Sequence, residues 1–304
     1  MAINTIHLAE KMTGALEKAI VQSAVTGFMA DNVLRAKFVG AKTVLIPYMD
    51  LNGLGDYDRD DGFVQGSITV DNYPLTLTMD RGRTFHLDYQ DNDESGVTNL
   101  AGQVMGEFIR TQVVPELDAY VLSKAATHAV TAGQTVTGNK DSEPYKIFTD
   151  AANAIWGELG YDRELVAFVD PTFQAALERS PEFTRSITIN EFKQGGVNLR
   201  VKSINGITLR PVTAARMKTA YRFNDGATSG QEIGGFTPVA GAQNVGLLMM
   251  DRSAGQFVKK AEKVRIFTPE VNQKLDAWKF DMRIYYDAFI KNNLKKGVEV
   301  FTYA

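Results

Sequence analysis

The chain has 304 residues, with 36 acidic and 33 basic side chains, three histidines and no cysteine, for a formal net charge of −3. That length buries a sizeable core and favours two domains, while the charge balance argues against a protein that coats nucleic acid, which needs clustered excess Lys and Arg. Without cysteine, disulfides, zinc–thiolate sites, iron–sulfur clusters and thiol nucleophiles are excluded together. The N-terminus lacks the parts of a signal peptide, and no stretch nears the roughly 18 apolar residues that span a bilayer, so the expectation is a chain made in a cytoplasm with no membrane partner.

Residues 5–26 place Ile6, Leu8, Met12, Leu16, Ala19 and Ile20 at roughly helical spacing, a short amphipathic arm stopped near Gly27. From Ala41 to Asp91 the chain reads as strand and turn with no surface for a core. Lys42–Tyr48 is extended, Leu51–Gly62 is a Gly-, Asn- and Asp-rich tip, and Ile68/Val70 and Leu75/Leu77/Met79 alternate as strands do. An isolated two-stranded ribbon is marginal in water, so such an arm requires a neighbour to lie on.

Val97–Ala129 then reads as one long helix, about 45 Å at ~1.5 Å per residue, with Thr98 or Asn99 as N-cap. Leu100, Val104, Phe108, Leu117 and Val121 give its period. Pro115 predicts a kink or break near Gln112, or else two helices meeting at Val114–Pro115. Beyond the polar stretch Thr131–Glu143 the pattern alternates: a helix at Tyr145–Leu159, a buried strand at Leu165–Val169, and a helix from Pro171 capped by Asp170. Strands at Val197–Val201 and Ile207–Val212 flank an Asn205-Gly206 hairpin signal. Asn224–Gly241 is a Gly-rich surface loop and Val245–Met250 a buried strand, and Gln256–Tyr303 forms long antiparallel strands ending at the C-terminus.

Chemistry is scarce. His7, His86 and His128 fall in separate elements, which speaks against a metal site or a histidine base. Gly133–Lys140 approaches a phosphate loop, but Asn139 intervenes before Lys140 and Asp141 stands where a hydroxyl is required. Asp56, Asp58 and Asp60 alternate like calcium-loop ligands, but Asp61 occupies the glycine position and Ser67 the position of the bidentate Glu. A solvated acidic tip is the better reading, with calcium bridging between subunits as the alternative. No nucleophile elbow, zincin helix or dinucleotide fingerprint is present, so no catalytic residue, cofactor or metal is assigned.

The order of elements resembles the tailed-bacteriophage major capsid protein family of the Hong Kong ninety-seven type. Gly106-Glu107-Phe108 and Val114-Pro115-Glu116-Leu117-Asp118-Ala119-Tyr120 look like that family's spine helix. Asp170-Pro171, Ser180-Pro181-Glu182-Phe183 and Ile204-Asn205-Gly206 through Arg210-Pro211 are similar too, as are Lys263–Glu270 and Asp281–Phe289. The resemblance implies an α+β fold of four parts: an N-terminal arm (1–33), an extended β-hairpin loop with flanking strands (34–96), a peripheral domain with the spine helix (97–143 and 257–304), and an inserted axial domain (144–256). It also implies hexamers and pentamers closing into an icosahedral shell around double-stranded DNA that is bound without sequence specificity. Scaffolding, portal and decoration proteins are the implied partners. Assembly in a host bacterial cytoplasm and residence in the virion follow.

Asp56, Asp58, Arg59 and Asp60 at the tip, and Arg81 and Arg83 on the return strand, are the candidate intersubunit contacts, against plain solvation. Some relatives cross-link through a loop lysine attacking an Asn side chain. No lysine occurs here between Lys42 and Lys124, so no such bond is expected. The chain also starts close to the arm, which implies a separate scaffolding protein or none. Two other functions fit less well: an encapsulin-like shell enclosing protein cargo, and a carboxylate-dependent hydrolase with Ala41–Asp91 as its lid.

Overall fold

The computed structural model describes residues 24–30, 37–39, 42–60, 62–88, 100–182, 187–194, 197–272 and 274–303. The predicted arm helix (apart from residues 24–26) and the Thr98/Asn99 cap lie outside them. The described residues form four sheets, one long helical path and two further helices. β1 (Lys37–Val39), β2 (Thr43–Leu51) and β3 (Ile68–Thr76) form an antiparallel ribbon in that order. β4 (Met79–Asp88) leaves it for another sheet.

Next comes the helical path: α1 (Leu100–Phe108), a π-helical segment (Ile109–Val113) and α2 (Val114–Thr131). The path is not broken near Gln112 or at Val114–Pro115, since dihedrals stay helical at Phe108, Val113 and Val114, but it is a π segment over Ile109–Val113. Proline cannot donate a backbone bond. The ladder widens just before it instead: Val114 N donates to Ile109 O, five residues back, and Pro115 falls in the first turn of α2, where a missing N–H does least harm.

α3 (Pro144–Leu159), β5 (Leu165–Val169) and α4 (Pro171–Arg179) follow. Asp170 caps α4 as expected, its Oδ1 accepting from Phe173 N at 2.7 Å. β6 (Ile187–Gln194) was not legible in the sequence. β7 (Val197–Ile204) and β8 (Ile207–Pro211) join through Asn205 and Gly206, at φ 51° and 83°, the left-handed pair that a tight hairpin turn requires. β9 (Tyr221–Phe223) and β10 (Phe236–Pro238) pair across the predicted surface loop. β11 (Asn244–Asp251), β12 (Gly255–Phe267), β13 (Ala277–Ile290) and β14 (Val298–Tyr303) complete the chain.

The largest sheet has the order β14-β11-β5-β8-β7-β6, with β5 and β8 parallel and its other neighbours antiparallel. Both faces of its centre are covered. Val166, Phe168, Leu248 and Met250 point into a core with α2, Phe28 and Met29, whereas Leu165, Ala167, Val169, Leu247 and Met249 point into a core with α3 and α4. A strand covered on both sides must be apolar at every position, hence the unbroken runs of β5 and β11.

The C-terminal strand β14 belongs to this sheet, apart from β12 and β13. Those two pair with β4 in the order β12-β13-β4. Their apolar face, Phe280, Met282, Ile284 and Tyr286, packs on Met105, Ile109, Val114 and Leu117 of the helical path. One helical path therefore spans both sheets.

A buried carboxylate fixes the segment before α2's neighbours. Asp118 accepts from Val25 N (3.1 Å), Thr26 N (3.0 Å), Thr26 Oγ1 (2.8 Å) and Arg216 Nη1 (3.2 Å). Burial pushes its pKa up, and these donors pull against that shift.

Candidate functional site

The ribbon is attached at its root and bare beyond it. Val44 and Leu77 are buried with Val258 and Tyr285, and Leu77 N donates to Lys42 O at 2.8 Å. Thr78 then donates twice to Asp287 Oδ2, from its amide at 3.0 Å and its hydroxyl at 2.9 Å. Asp287 is fully buried. Its Oδ1 accepts from Tyr120 Oη at 2.7 Å and pairs with Lys124, both on α2. One carboxylate thus ties together the hairpin root, the long helix and β13. Burial raises the pKa of the Tyr120 hydroxyl, so it stays protonated and donates.

Past the root, register decides what the ribbon presents. Leu51 lies opposite Ile68, and Met49 opposite Val70. Because side chains alternate faces along a strand, these four share one face. They are 58%, 70%, 63% and 64% exposed, with nothing among the described residues covering them. Thr69 and Asp71, on the other face, are exposed and polar. The result is an amphipathic ribbon without a core, an apolar patch of the kind that marks an interaction surface.

The tip adds to that patch. Asn52 N donates to Ser67 O and Ser67 Oγ to Asn52 Oδ1, closing the base of the loop. Asp58 and Gly62 exchange backbone bonds of 3.1 and 2.9 Å, with Gly62 at φ 83° and Asp58 Oδ1 accepting from Asp60 N at 2.7 Å. Tyr57 and Phe63 stand 4.8 Å apart, both exposed, and Leu54 is exposed as well. Asp56, Asp58, Arg59 and Asp60 therefore cluster on one small exposed knob. Among the described residues no group of three His, Asp or Glu could hold a metal ion.

Arg81 and Arg83 are elsewhere, which corrects the reading of Ala41–Asp91 as one coreless arm. Both lie on β4, which pairs with β13 along its length and sends Met79, Phe85 and Leu87 against the core. The alternating pattern was read correctly, but it continued into a second sheet. Arg81 donates to both oxygens of Glu116 on α2 (2.7 and 3.1 Å) and to Asn224 O (2.7 Å). Arg83 Nη2 donates to Glu232 O at 3.1 Å. The two arginines hold the 224–235 loop over a cavity of about 290 Å³ between β4, β13 and the π segment, walled by Phe85, Phe108, Met282 and Tyr286. The sequence offered no sign of this clamp, because its partners are 35 to 154 residues apart.

No family model and no curated protein matches the sequence. Solved structures match in three dimensions. The capsid structure of the cyanophage P-SCSP1u, 11% identical, aligns over 88% of this chain and 85% of its own, with a TM-score of 0.55. A structure from Microbacterium phage Oxtober96 is 15% identical, covers 90% of both chains and also scores 0.55. This chain has the Hong Kong ninety-seven type capsid fold. A virus-like particle from Pyrococcus furiosus matches as well, 10% identical over 97% of this chain and 99% of its own, with a TM-score of 0.52. No helix among the described residues is long and apolar enough to cross a membrane.

Proposed function

We propose that the chain is the major capsid protein of a tailed double-stranded-DNA bacteriophage, assembling through hexamers and pentamers into an icosahedral head. Its role is structural and not enzymatic. The observation that carries this reading is the ribbon: four apolar side chains on one exposed face, held out from the body by a root that Asp287 locks in place. Covering a side chain of this kind contributes about 1.5–3 kcal/mol when complete. Modest contacts of that size, repeated around a ring of head-to-tail subunits, close a shell without any one of them being strong.

On this reading residues 97–143 and 257–304 act as the peripheral domain and 144–256 as the axial domain, with 1–33 as arm and 34–96 as extended loop. The net charge of −3 suits a shell that encloses DNA and must release it. Assembly takes place in the host bacterial cytoplasm, with scaffolding, portal or decoration proteins as further partners. Asp56, Asp58, Arg59 and Asp60 meet a neighbouring subunit.

The test is light scattering with negative-stain microscopy of the purified chain under assembling conditions. Closed shells or rings of five and six subunits are expected; a persistent monomer overturns the reading. The likeness to the Pyrococcus furiosus particle over nearly all of both chains favours one second reading, an encapsulin-like compartment. Nuclease-protected DNA inside the particles supports the first reading, and a protein cargo the second. Boiled, denatured particles should run as monomer, because the segment between Lys42 and Lys124 holds no lysine to form a cross-link.

A further inference from the structure

The cavity under the 224–235 loop is unfinished. Two buried polar atoms in its wall, Tyr286 Oη and Asn224 Oδ1, have no hydrogen-bond partner among the described residues. Leaving such atoms unsatisfied costs about 1–3 kcal/mol each, so they retain water when an apolar side chain fills the rest of the space. The rest of the wall is aromatic and aliphatic. At its rim Arg83 bonds only the Glu232 carbonyl, and no carboxylate pairs with it among the described residues. Asp225 shares the rim, but its carboxylate is turned onto Ala227 N, Thr228 N and Thr228 Oγ1. Ile233 stands beside the mouth, 95% exposed. The mouth is therefore apolar, with an arginine at its rim that no carboxylate among the described residues contacts directly.

The knob at the end of the ribbon is its complement. Phe63 is 89% exposed, Tyr57 lies against it at 4.8 Å, and the exposed Asp56, Asp58 and Asp60 lie in the same tip segment as Tyr57. Because these rings are exposed in the free chain, the knob is not seated in its own cavity. We propose that the ribbon tip of one copy inserts Phe63 into the cavity of a second copy, with the tip carboxylates facing Arg83. Each copy then donates one knob and offers one cavity, the heterologous arrangement that closes into rings. This rests on the shell-forming function proposed above and names the surface that receives the loop.

The absence of cysteine makes the test clean. Phe63→Cys and Ile233→Cys are made as separate full-length chains, both at exposed positions where folding is unaffected. They are co-assembled, oxidised and run on a denaturing non-reducing gel. A covalent dimer is expected from the mixture and from neither chain alone, and Arg83→Glu in the Ile233→Cys chain should cut its yield several-fold. Closed shells that give no mixed dimer overturn the proposal while leaving the capsid reading intact. A dimer formed by Ile233→Cys alone also overturns it, since two cavity loops would then face each other. If the unsubstituted chain forms no rings or shells at all, the capsid reading itself falls.

Discussion

β5 and the outer ribbon are both short strands with apolar residues, and they end in opposite surroundings. All five residues of β5 are buried between two layers of helices, whereas eight of the nine residues of β3 are exposed. The difference is whether the chain supplies both covering surfaces or none. β5 is satisfied by folding; the ribbon's apolar face is left uncovered by every other described residue, and on the proposed reading a neighbouring subunit covers it.

The strongest way to break that comparison is to cut the link between the two regions. Asp287→Ala strands Lys124 and leaves Thr78 and Tyr120 without their acceptor, and should cost about 3–5 kcal/mol in urea unfolding. It should also free the hairpin root, visible as faster amide exchange at Leu77 and Thr78. Next, Leu248→Ala empties a fully buried site in the sheet core and should cost about 2–5 kcal/mol.

A smaller effect comes from pH. Glu299, on β14, has its pKa pushed up from 4.5 to about 7 by burial. The folded chain therefore keeps a proton that the unfolded chain releases, so stability is full below about pH 4.5 and falls as pH rises through about 7. Glu299→Gln should flatten that slope when urea midpoints are compared at pH 5 and pH 8. Smallest for the isolated subunit is Leu51→Ala, the same truncation as Leu248→Ala moved to the ribbon, which should change its stability by no more than about 0.5 kcal/mol. The same variant should weaken assembly, read as a higher critical concentration for shells by light scattering. A stability loss equal to that of Leu248→Ala would mean that the ribbon face is covered within its own chain.

Much of this architecture was legible. The Asp170 cap, the Asn205-Gly206 turn, the strand at Leu165–Val169 and the bare ribbon all stood where the residues placed them. The signal was weaker where it depended on distant partners. The run continuing past Leu77 looked like more of the same ribbon, yet β4 is claimed by β13 roughly 200 residues later. Arg81 reads as a contact for a neighbour, and the intrachain bonds it makes to Glu116 and the 224–235 loop have no local sign in the sequence. The tip is legible as acidic; that Tyr57 and Phe63 form an aromatic pair there depends on the turn that brings them together.

The amino-acid order alone determined most of the elements and the expectation of a partner, because caps, turns and hydrophobic period act over a few residues and because a ribbon without a third layer has nothing to bury. Tertiary structure decided which sheet each strand joined, how Pro115 was absorbed into a π segment, and where Asp118 and Asp287 found their donors. Those outcomes depend on which surfaces cover each other, and two residues 209 positions apart, such as Thr78 and Asp287, carry no local sign that they will meet.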